Sequence, residues 1–328
     1  MTSRERAVTL DLVVPMYNEE EAVDVLFARL QRIFAPALLE QHGIARLRYV
    51  IVDDGSTDRT AERVARWMGD GLPAILCRFS RNFGHQAAVV AGLDQVDADV
   101  VGIIDADLQD PPEELFKMLT AWRRGDDVVF AVRANRKESW PKRVCYFAFY
   151  RSLYFLSEGR IPKDSGDFCL MDRRVVEALR QLPERLRFVR GLRAWVGFRQ
   201  GAHVYDRQER AVGRPKYTLG KLYQLATDGI ASSSIRPLQI AQLLSIVFFF
   251  VAAAASLASI VQLLRASPAS PHLTLLYLLM ALTSVMAFSV LICLYVLSAY
   301  VGRMYLEVKG RPPYVLMEIL RPQPPTTS

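Results

Sequence analysis

The stretch Val100-Val101-Gly102-Ile103-Ile104-Asp105-Ala106-Asp107-Leu108-Gln109-Asp110 joins an apolar run directly to three carboxylates. The run is typical of a buried strand, and the acidic residues mark the end of that strand as a candidate site. Carboxylates this close in sequence repel one another and lose solvation, a cost that a divalent cation offsets. We therefore expect Mg²⁺ or Mn²⁺ here, bridging a diphosphate. The alternative is that Asp105 caps a helix beginning at Pro111-Pro112 and that the other carboxylates are solvated.

A second strand ends in carboxylates in the same way. The apolar residues Tyr49-Val50-Ile51-Val52 run into Asp53-Asp54-Gly55-Ser56-Thr57-Asp58. Two such strand ends favour one shared crevice over two unrelated turns. Asp53 or Asp54 would accept hydrogen bonds from the base and ribose of a nucleotide.

The N-terminal half alternates short apolar runs with helical patterns. The runs are Leu10–Val14, Tyr49–Val52, Ala74–Leu76 and Val100–Ile104, and helices are expected after Asn18, after Asp58, from His85 and from Pro112. This alternation predicts an α/β fold with a doubly wound, mostly parallel sheet. Ligands bind such sheets beyond the carboxyl ends of the strands, where Pro15–Glu19, Asp53–Asp58 and Asp105–Asp110 would lie.

Two common nucleotide-binding signatures are missing from the sequence. No GxGxxG follows the first strand and no GxxxxGK[ST] occurs. Dinucleotide cofactors and P-loop hydrolysis therefore lose their main support. The remaining candidate ligand is a nucleotide diphosphate held through a metal ion.

Two long charge-free runs follow in the C-terminal part. Residues 238–264 and 273–302 contain no charged side chain, and each exceeds the about 20 residues needed to cross a bilayer. The connection Ala266–His272 has no Lys or Arg, whereas Arg236 precedes the first run and Arg303, Lys309 and Arg311 follow the second. The positive-inside rule then puts both termini in the cytoplasm. The N-terminal residues are too polar for a signal peptide, so the large domain should be cytoplasmic.

The cysteines carry no recognisable signature. Cys77, Cys145, Cys169 and Cys293 are scattered without a CxxC pair. We expect reduced structural thiols and no zinc site.

Several motifs together resemble one family. They are Val14-Pro15-Met16-Tyr17-Asn18-Glu19, Val52-Asp53-Asp54-Gly55-Ser56, Ser80-Arg81-Asn82-Phe83-Gly84-His85 and Asp105–Pro112, with Ser139–Arg143, Asp164–Phe168, Lys216-Tyr217 and Gly310-Arg311-Pro312 further on. The chain is similar, over nearly its whole length, to glycosyltransferase family 2 enzymes that glycosylate polyprenyl phosphates. That group includes dolichol-phosphate mannose synthase and bacterial undecaprenyl-phosphate glucosyltransferases.

The resemblance implies a GT-A fold and a set of donor-side residues. Asp105 and Asp107 would form the metal and diphosphate region with Gln109 beside them, and Arg133 and Arg143 would lie near the phosphates. The expected donor-binding set is Pro15, Tyr17, Glu19, Asp53, Asp54, Gln109 and Arg133. For Arg133 the alternative is a solvated basic residue at the end of a strand.

Asp164 and Asp167 flank a Ser-Gly turn and are candidate acceptor-side carboxylates. Either could orient the acceptor or act as a general base, and the alternative is an ordinary turn. A lipid phosphate has a second pKa of about 6, so its oxygen is already largely anionic at neutral pH. Positioning should matter more than basicity, and we favour Asp167.

A basic cluster precedes the first apolar run. It contains Arg207, Arg210, Arg214, Lys216 and Lys221, interleaved with Tyr205, Tyr217 and Tyr223. Its place beside the membrane favours an amphipathic interfacial helix over nucleic-acid binding. The expected acceptor-phosphate contacts are Arg143, Arg210, Lys216, Tyr217 and Lys221. The alternative for each is general attraction to anionic headgroups.

His85 adjoins Gly84 at a predicted helix start. We interpret it as a turn or capping residue and not as a catalytic base.

These observations predict four regions in the chain of 328 residues, which has a net charge of +7. Residues 1–210 form the cytoplasmic glycosyltransferase domain, 211–236 the interfacial segment, 237–303 two membrane helices and 304–328 a cytoplasmic tail. The expected protein is an inner-membrane, metal-dependent, homo-oligomeric inverting enzyme that moves glucose from UDP-glucose to undecaprenyl phosphate.

Alternative interpretations differ in donor or in class. The donor could carry mannose, as GDP-mannose, or amino-arabinose, and a non-catalytic nucleotide-sugar-binding membrane protein is the alternative from another class. Processive polysaccharide synthases resemble this domain but carry a QxxRW motif, which is absent here.

Overall fold

A computed structural model describes Arg4 and residues 6–133, 165–185, 187–206, 236–265 and 271–322. The first half follows the alternation of the sequence: β1 Val8–Met16, α1 Glu20–Ile33, α2 Pro36–Gln41, β2 Ile44–Asp53, α3 Thr60–Gly69, β3 Ala74–Phe79, α4 His85–Gln95, β4 Val100–Ile103 and α5 Glu114–Arg123. The second half contains β5 Val128–Arg133, β6 Ser165–Asp172, α6 Arg173–Gln181, α7 Val189–Trp195, β7 Gln200–Tyr205, α8 Arg236–Arg265, α9 Pro271–Val308 and β8 Leu316–Leu320.

The strands form one sheet in the order β7-β5-β6-β4-β1-β2-β3-β8. β1 lies between β2 and β4 and is parallel to both, and β3 continues the parallel set beyond β2. β6 runs antiparallel to β4, and β8 runs antiparallel to β3. The mixed, mostly parallel α/β sheet of the GT-A type that the sequence predicts is confirmed.

Successive residues of β1 enter the cores on the two faces of the sheet. Leu12 and Val14 belong to the core under α1, whereas Val13 belongs to the core under α4. This alternation follows from the pleat of a strand, and a strand buried on both faces has no polar side to present. In α1, buried Val23, Phe27 and Leu30 recur at helical spacing. Burial of each such side chain contributes roughly 1.5–3 kcal/mol.

α8 and α9 are the predicted apolar helices. Within them, Arg236–Ala254 and Leu282–Val308 are long and apolar enough to cross a membrane. α9 extends past Arg303 to Val308, so its end lies beyond the predicted boundary. Residues 211–235 of the predicted interfacial segment 211–236 lie outside the described residues, as do residues 266–270 of the connection.

β8 is a strand that the sequence analysis does not predict. The sequence predicts a cytoplasmic tail over 304–328, but Leu316–Leu320 pairs with β3 at the edge of the sheet. Tyr314, just before β8, stacks on Phe79 with ring centroids 5.1 Å apart, and its hydroxyl donates to Asp94 at 2.7 Å. Part of the predicted tail therefore belongs to the domain.

Candidate functional site

The loops after β1 and β2 are fastened to each other. Asn18 has a φ of +51° and turns the chain out of β1. Its backbone N–H donates to the Ser56 hydroxyl at 2.9 Å, and its side-chain carbonyl accepts from the Thr57 N–H at 2.8 Å. The Glu19 N–H donates to the Thr60 hydroxyl at 2.9 Å. These bonds fix the floor of the crevice at the carboxyl ends of the two strands.

Asp54 shapes the loop that leads to α4. Its carboxylate is buried and accepts the N–H groups of Phe83 at 2.7 Å and Gly84 at 3.0 Å, and the side-chain amide of Asn82 at 3.0 Å. Burial raises the pKa of Asp54 to about 6, although the two backbone donors oppose that shift. Because three groups of the following loop already donate to this carboxylate, its contacts assign Asp54 a role in positioning the loop.

Asp53 lies next to Asp54 at the end of β2 and is also buried. One oxygen, Oδ1, accepts the Ser56 N–H at 3.1 Å. The other, Oδ2, lies 3.5 Å from Nε of Arg78, which is an ion-pair distance and too long for a good hydrogen bond. Of the two adjacent carboxylates, Asp53 therefore keeps more hydrogen-bonding capacity for a ligand.

The loop after β4 holds Asp105, Asp107 and Gln109 half-buried at the same edge. Leu108 has a φ of +56° and is 3 % exposed. Its buried side chain anchors the loop in the core between Asp107 and Gln109. The Gln109 N–H donates to Oδ1 of Asp107 at 3.1 Å. This backbone turn keeps Asp105 and Asp107 at the surface of the crevice.

The end of the Asp105–Asp110 loop is tied to β7. The hydroxyl of Tyr205 donates to the buried carboxylate of Asp110. Nearby, Nε2 of His203 lies 2.6 Å from Oε2 of Glu114. The Tyr205 contact joins the Asp105–Asp110 loop to the end of β7, whereas the His203 contact joins β7 to α5, outside that loop.

Asp167 reaches the same edge because β6 runs antiparallel to β4. The register pairs Ile103 with Cys169, and continuing it past the end of β4 sets Asp105 opposite Asp167. Arg190, from α7, donates to both oxygens of Asp167, with Nε at 2.7 Å from Oδ1 and Nη2 at 2.6 Å from Oδ2. A two-point Arg–carboxylate contact fixes both distance and plane.

His85 lies between the two carboxylates. Its Nε2 is 3.1 Å from Oδ1 of Asp105 and its Nδ1 is 3.7 Å from Oδ2 of Asp167. The residue that precedes α4 as its cap is Gly84, and no side chain caps this helix. The interpretation of His85 as a turn or capping residue is therefore wrong, because the ring contacts carboxylates and not the helix end.

The charges of this cluster stabilise one another. Loss of solvation opposes ionisation of His85, but the hydrogen bond and charge of Asp105 and the charge of Asp167 raise its pKa to about 9. Burial would raise the pKa of both carboxyl groups, yet His85 lowers that of Asp105 and Arg190 lowers that of Asp167 far below its usual range. The cluster therefore alternates two carboxyl groups with two basic side chains.

The donor set fits a magnesium or manganese ion that is shared with a ligand. Among the residues that the structure describes, no three His, Cys, Asp or Glu side chains form a complete metal site. Mg²⁺ commonly takes one or two carboxylates and completes its shell with phosphate oxygens and water. Asp105 and Asp107 supply such a pair at an accessible position. A complete zinc-type cage is not formed by these residues, and the described cysteines Cys77, Cys169 and Cys293 are free thiols.

The other predicted site residues are distributed as follows. Pro15 is buried in β1, Tyr17 is exposed beside it, and Glu19 directly precedes α1. Arg133 is the last residue of β5, at the same edge of the sheet. The remaining predicted residues, Arg143, Asp164, Arg210, Lys216, Tyr217 and Lys221, lie outside the described residues.

Sequence reasoning missed His85, Gln86 and Arg190. Gln86 accepts the Val189 N–H at 2.9 Å and thereby links α4 to α7. The motif Ser80–His85 is a local signal for His85, although it does not show which residues the ring contacts. Arg190 gives no comparable local signal, since it lies among several arginines.

Comparison with known proteins identifies the family. Residues 11–180 match Glycosyl transferase family 2. An uncharacterized glycosyltransferase of Synechocystis is 38% identical over 314 residues, covering 95% of this chain and 96% of its own. The SfII prophage-derived bactoprenol glucosyl transferase of Shigella flexneri is 35% identical over 321 residues, covering 96% and 99%.

Among solved structures, a mannosyltransferase from Pyrobaculum calidifontis in complex with GDP-Man and Mn²⁺ is 18% identical, with a TM-score of 0.43, covering 94% of this chain and 80% of that one. The family match spans the loops after β1, β2 and β4 as well as Asp167. The two relatives extend the similarity over nearly the whole chain. The protein belongs to glycosyl transferase family 2.

Proposed function

We propose that the protein transfers glucose from UDP-glucose to undecaprenyl phosphate at the cytoplasmic face of the inner membrane. The observation that carries the proposal is that Asp105 and Asp167 meet through His85 at one edge of the sheet, in a chain with two helices apolar enough to span a membrane. The relative from Shigella flexneri, named as a bactoprenol glucosyl transferase, supports this acceptor class.

On the donor side, the leaving nucleoside diphosphate gains negative charge as its bond to the sugar breaks. A divalent ion held by Asp105 and Asp107, with Gln109 beside it, would stabilise that charge. Arg133 and Arg143 are proposed to add guanidinium donors at the phosphates. Tyr17 and Asp53 are proposed to contact the nucleoside, with Pro15, Glu19 and Asp54 shaping its pocket.

On the acceptor side, an oxygen of the lipid phosphate attacks the anomeric carbon. A bond forms between that oxygen and carbon while the bond from carbon to the diphosphate oxygen breaks, which inverts the configuration. Because the phosphate oxygen is already anionic, a strong base is not required. Asp167 is held as an ionised carboxylate by Arg190 and would serve mainly to orient the acceptor.

The remaining acceptor contacts are proposed from sequence. Arg143, Arg210, Lys216, Tyr217 and Lys221 would bind the acceptor phosphate, and Asp164 would support Asp167. A phosphate held at the headgroup layer need not leave the membrane, which removes much of the entropic cost of bringing the two substrates together. The proposed state is a homo-oligomer with both termini cytoplasmic.

The test is transfer of radiolabelled sugar by the purified full-length protein. Labelled UDP-glucose, GDP-mannose and a UDP-linked amino-arabinose are each supplied with undecaprenyl phosphate and Mg²⁺ or Mn²⁺. We expect labelled lipid from UDP-glucose, and a loss of about 100-fold or more with Asp107→Ala or EDTA. The matched control is Asp97→Ala, which removes an exposed carboxylate paired with Arg46.

Labelled lipid from another donor would correct the sugar assignment and keep the reaction class. Donor binding without transfer from any of the three would reject the acceptor assignment. Full activity of Asp107→Ala would exclude the proposed metal site.

A further inference from the structure

We propose that His85 is a positioning residue that joins the donor-side carboxylate Asp105 to the acceptor-side carboxylate Asp167, while Arg190 holds Asp167 from its other side. This inference rests on the proposed function for the roles of the two carboxylates. It adds the residues that set their separation and orientation.

Four different elements contribute to this arrangement. Asp105 follows β4 and Asp167 belongs to β6, whereas His85 begins α4 and Arg190 lies in α7. The contacts run in sequence from Asp105 to His85 at 3.1 Å, from His85 to Asp167 at 3.7 Å, and from Asp167 to Arg190 at 2.6 Å. Two basic side chains alternate with the two carboxylates, so each carboxylate has a nitrogen donor group beside it.

The residues on both sides of His85 are held by hydrogen bonds, which fix the position of its ring. Asp54 accepts the N–H groups of Phe83 and Gly84, which are the two residues before His85. Gln86, the next residue, accepts the Val189 N–H at 2.9 Å and so links the start of α4 to the start of α7. The side-chain amide of Gln86 is 3.5 Å from each carboxylate oxygen of Asp167, which is the upper limit for a hydrogen bond. His85, by contrast, lies within 3.1 Å of Asp105 and 3.7 Å of Asp167, so it is the side chain between the two carboxylates.

A histidine suits this position because its two ring nitrogens point in different directions on one rigid plane. Nε2 faces Asp105, and Nδ1 lies between Asp167 at 3.7 Å and the side-chain amide of Gln86 at 3.4 Å. Nε2 takes Oδ1 of Asp105, and no other described residue hydrogen-bonds Oδ2. That oxygen remains for a cation. The histidine would thus orient the carboxylate from its far side, as groups behind metal ligands commonly do.

The exposure of the cluster distinguishes it from the ion pair between Asp11 and Arg48 in the same domain. The side chains of His85 and Asp105 are 35% and 31% exposed, so a ligand can reach them. By contrast, Asp11 is fully buried and pairs with Arg48 while accepting the N–H of Asp97.

Without the ring, Asp105 and Asp167 would face each other as like charges. Asp105 would then rotate away from the cation position or compete with Asp167 for Arg190. Removal of a group that orients a metal ligand typically weakens metal binding by about 10–100-fold. The effect should appear in metal affinity, before any chemistry with the acceptor.

The test is Mn²⁺ binding to the full-length protein in the presence of UDP, measured by electron paramagnetic resonance. We expect His85→Gln, which keeps one amide donor but cannot bridge, to raise the Mn²⁺ dissociation constant by about 10-fold or more. The matched control is His203→Gln, which removes another histidine–carboxylate contact, that with Glu114 at 2.6 Å. It should leave Mn²⁺ binding unchanged.

A second variant tests the acceptor side. Arg190→Lys keeps a charge but loses the two-point contact with Asp167. We expect it to raise the KM for undecaprenyl phosphate by about 3-fold or more. The Mn²⁺ dissociation constant should stay near that of the wild type.

The outcomes separate this inference from the proposed function. Unchanged Mn²⁺ affinity in His85→Gln, with only a lower melting temperature, would reduce the histidine to a folding role and overturn the inference. If the wild type transfers no sugar to undecaprenyl phosphate but its Mn²⁺ binding still depends on His85, the acceptor assignment fails and the donor-side positioning stands. Absence of any Mn²⁺–UDP binding in the wild type would overturn both.

Discussion

At the scale of the single residue, Gly55 decides how two loops of the site meet. Its φ is +66°, and a Cβ there would lie 2.3 Å from the backbone carbonyl carbon of Arg81. A side chain at this position would push away the loop whose next residues, Asn82–Gly84, are held by Asp54. Because His85 directly follows that loop, the displacement would reach the carboxylate cluster.

We expect Gly55→Ala to destabilise the protein by about 2 kcal/mol or more and to lower transfer activity. The matched control is Gly71→Ala, since Gly71 has a φ of +96° but no atom within 4 Å of its Cβ position. That control carries only the strain of a left-handed alanine, about 1–2 kcal/mol. Thermal unfolding of both variants in detergent measures the difference. Equal melting temperatures would show that the contact with Arg81 costs nothing.

The residues of the site were predictable where their signal is local. Asp53 and Asp105 stand at the ends of apolar runs, so strand geometry alone brings them to one edge. His85 and Arg190 contact carboxylates 20 and 23 positions away, through a helix start and an antiparallel strand. No pattern within a short window encodes such a contact, which is why sequence reasoning missed both.

At the scale of the element, β8 shows which contacts hold an edge strand. Its Glu318 pairs with Arg78 of β3, and the Ser80 N–H donates to the Val315 carbonyl at 3.0 Å. Glu318 and Arg78 are 39% and 30% exposed, so solvent weakens their attraction. Tyr314 instead adds a stacked ring on Phe79 and a hydrogen bond to Asp94.

We therefore expect Tyr314→Ala to cost about 2 kcal/mol and Glu318→Gln to cost less than about 1 kcal/mol. Urea unfolding of the full-length protein in detergent compares them. Tyr314→Phe separates the hydroxyl from the ring and should fall between the two, since the stacking remains. A larger loss from Glu318→Gln than from Tyr314→Ala would contradict this ranking.

The sequence does not predict β8, because the residues of this strand form no local pattern that marks a strand. It is a strand of five residues after a long apolar helix, and the residues that it pairs with are about 240 positions earlier. The parallel strands β1–β4, by contrast, are each followed by a helix, and that alternation is visible in the sequence. Short edge strands depend on the surface that they cover more than on their own composition.

At the scale of the whole molecule, the two apolar helices connect opposite edges of one sheet. The chain leaves the sheet after β7, at one edge, and returns as β8, at the other. The end of α9 also touches the domain, since the Arg185 N–H donates to Glu307 at 2.8 Å. A domain attached at two points has less freedom to turn than one on a single linker.

We expect replacement of residues 236–308 by a flexible linker to reduce acceptor use by about 100-fold or more while UDP binding stays within about 3-fold. Calorimetric UDP binding and transfer to undecaprenyl phosphate measure the two effects on the same preparation. The control replaces α8 and α9 with an unrelated pair of membrane helices, which tests whether attachment alone is enough. Equal loss of both properties would mean that the helices are required for folding.

The place of β8 in the chain also sets the order of events during synthesis. A ribosome makes β1–β7 first, then both apolar helices, and only afterwards the strand that covers the edge of β3. Until then β3 offers unpaired backbone groups, a surface on which strands of other chains can add. Completion of the sheet thus waits for the helices to emerge. Newly made molecules in which α8 and α9 are delayed should be the ones most prone to aggregate.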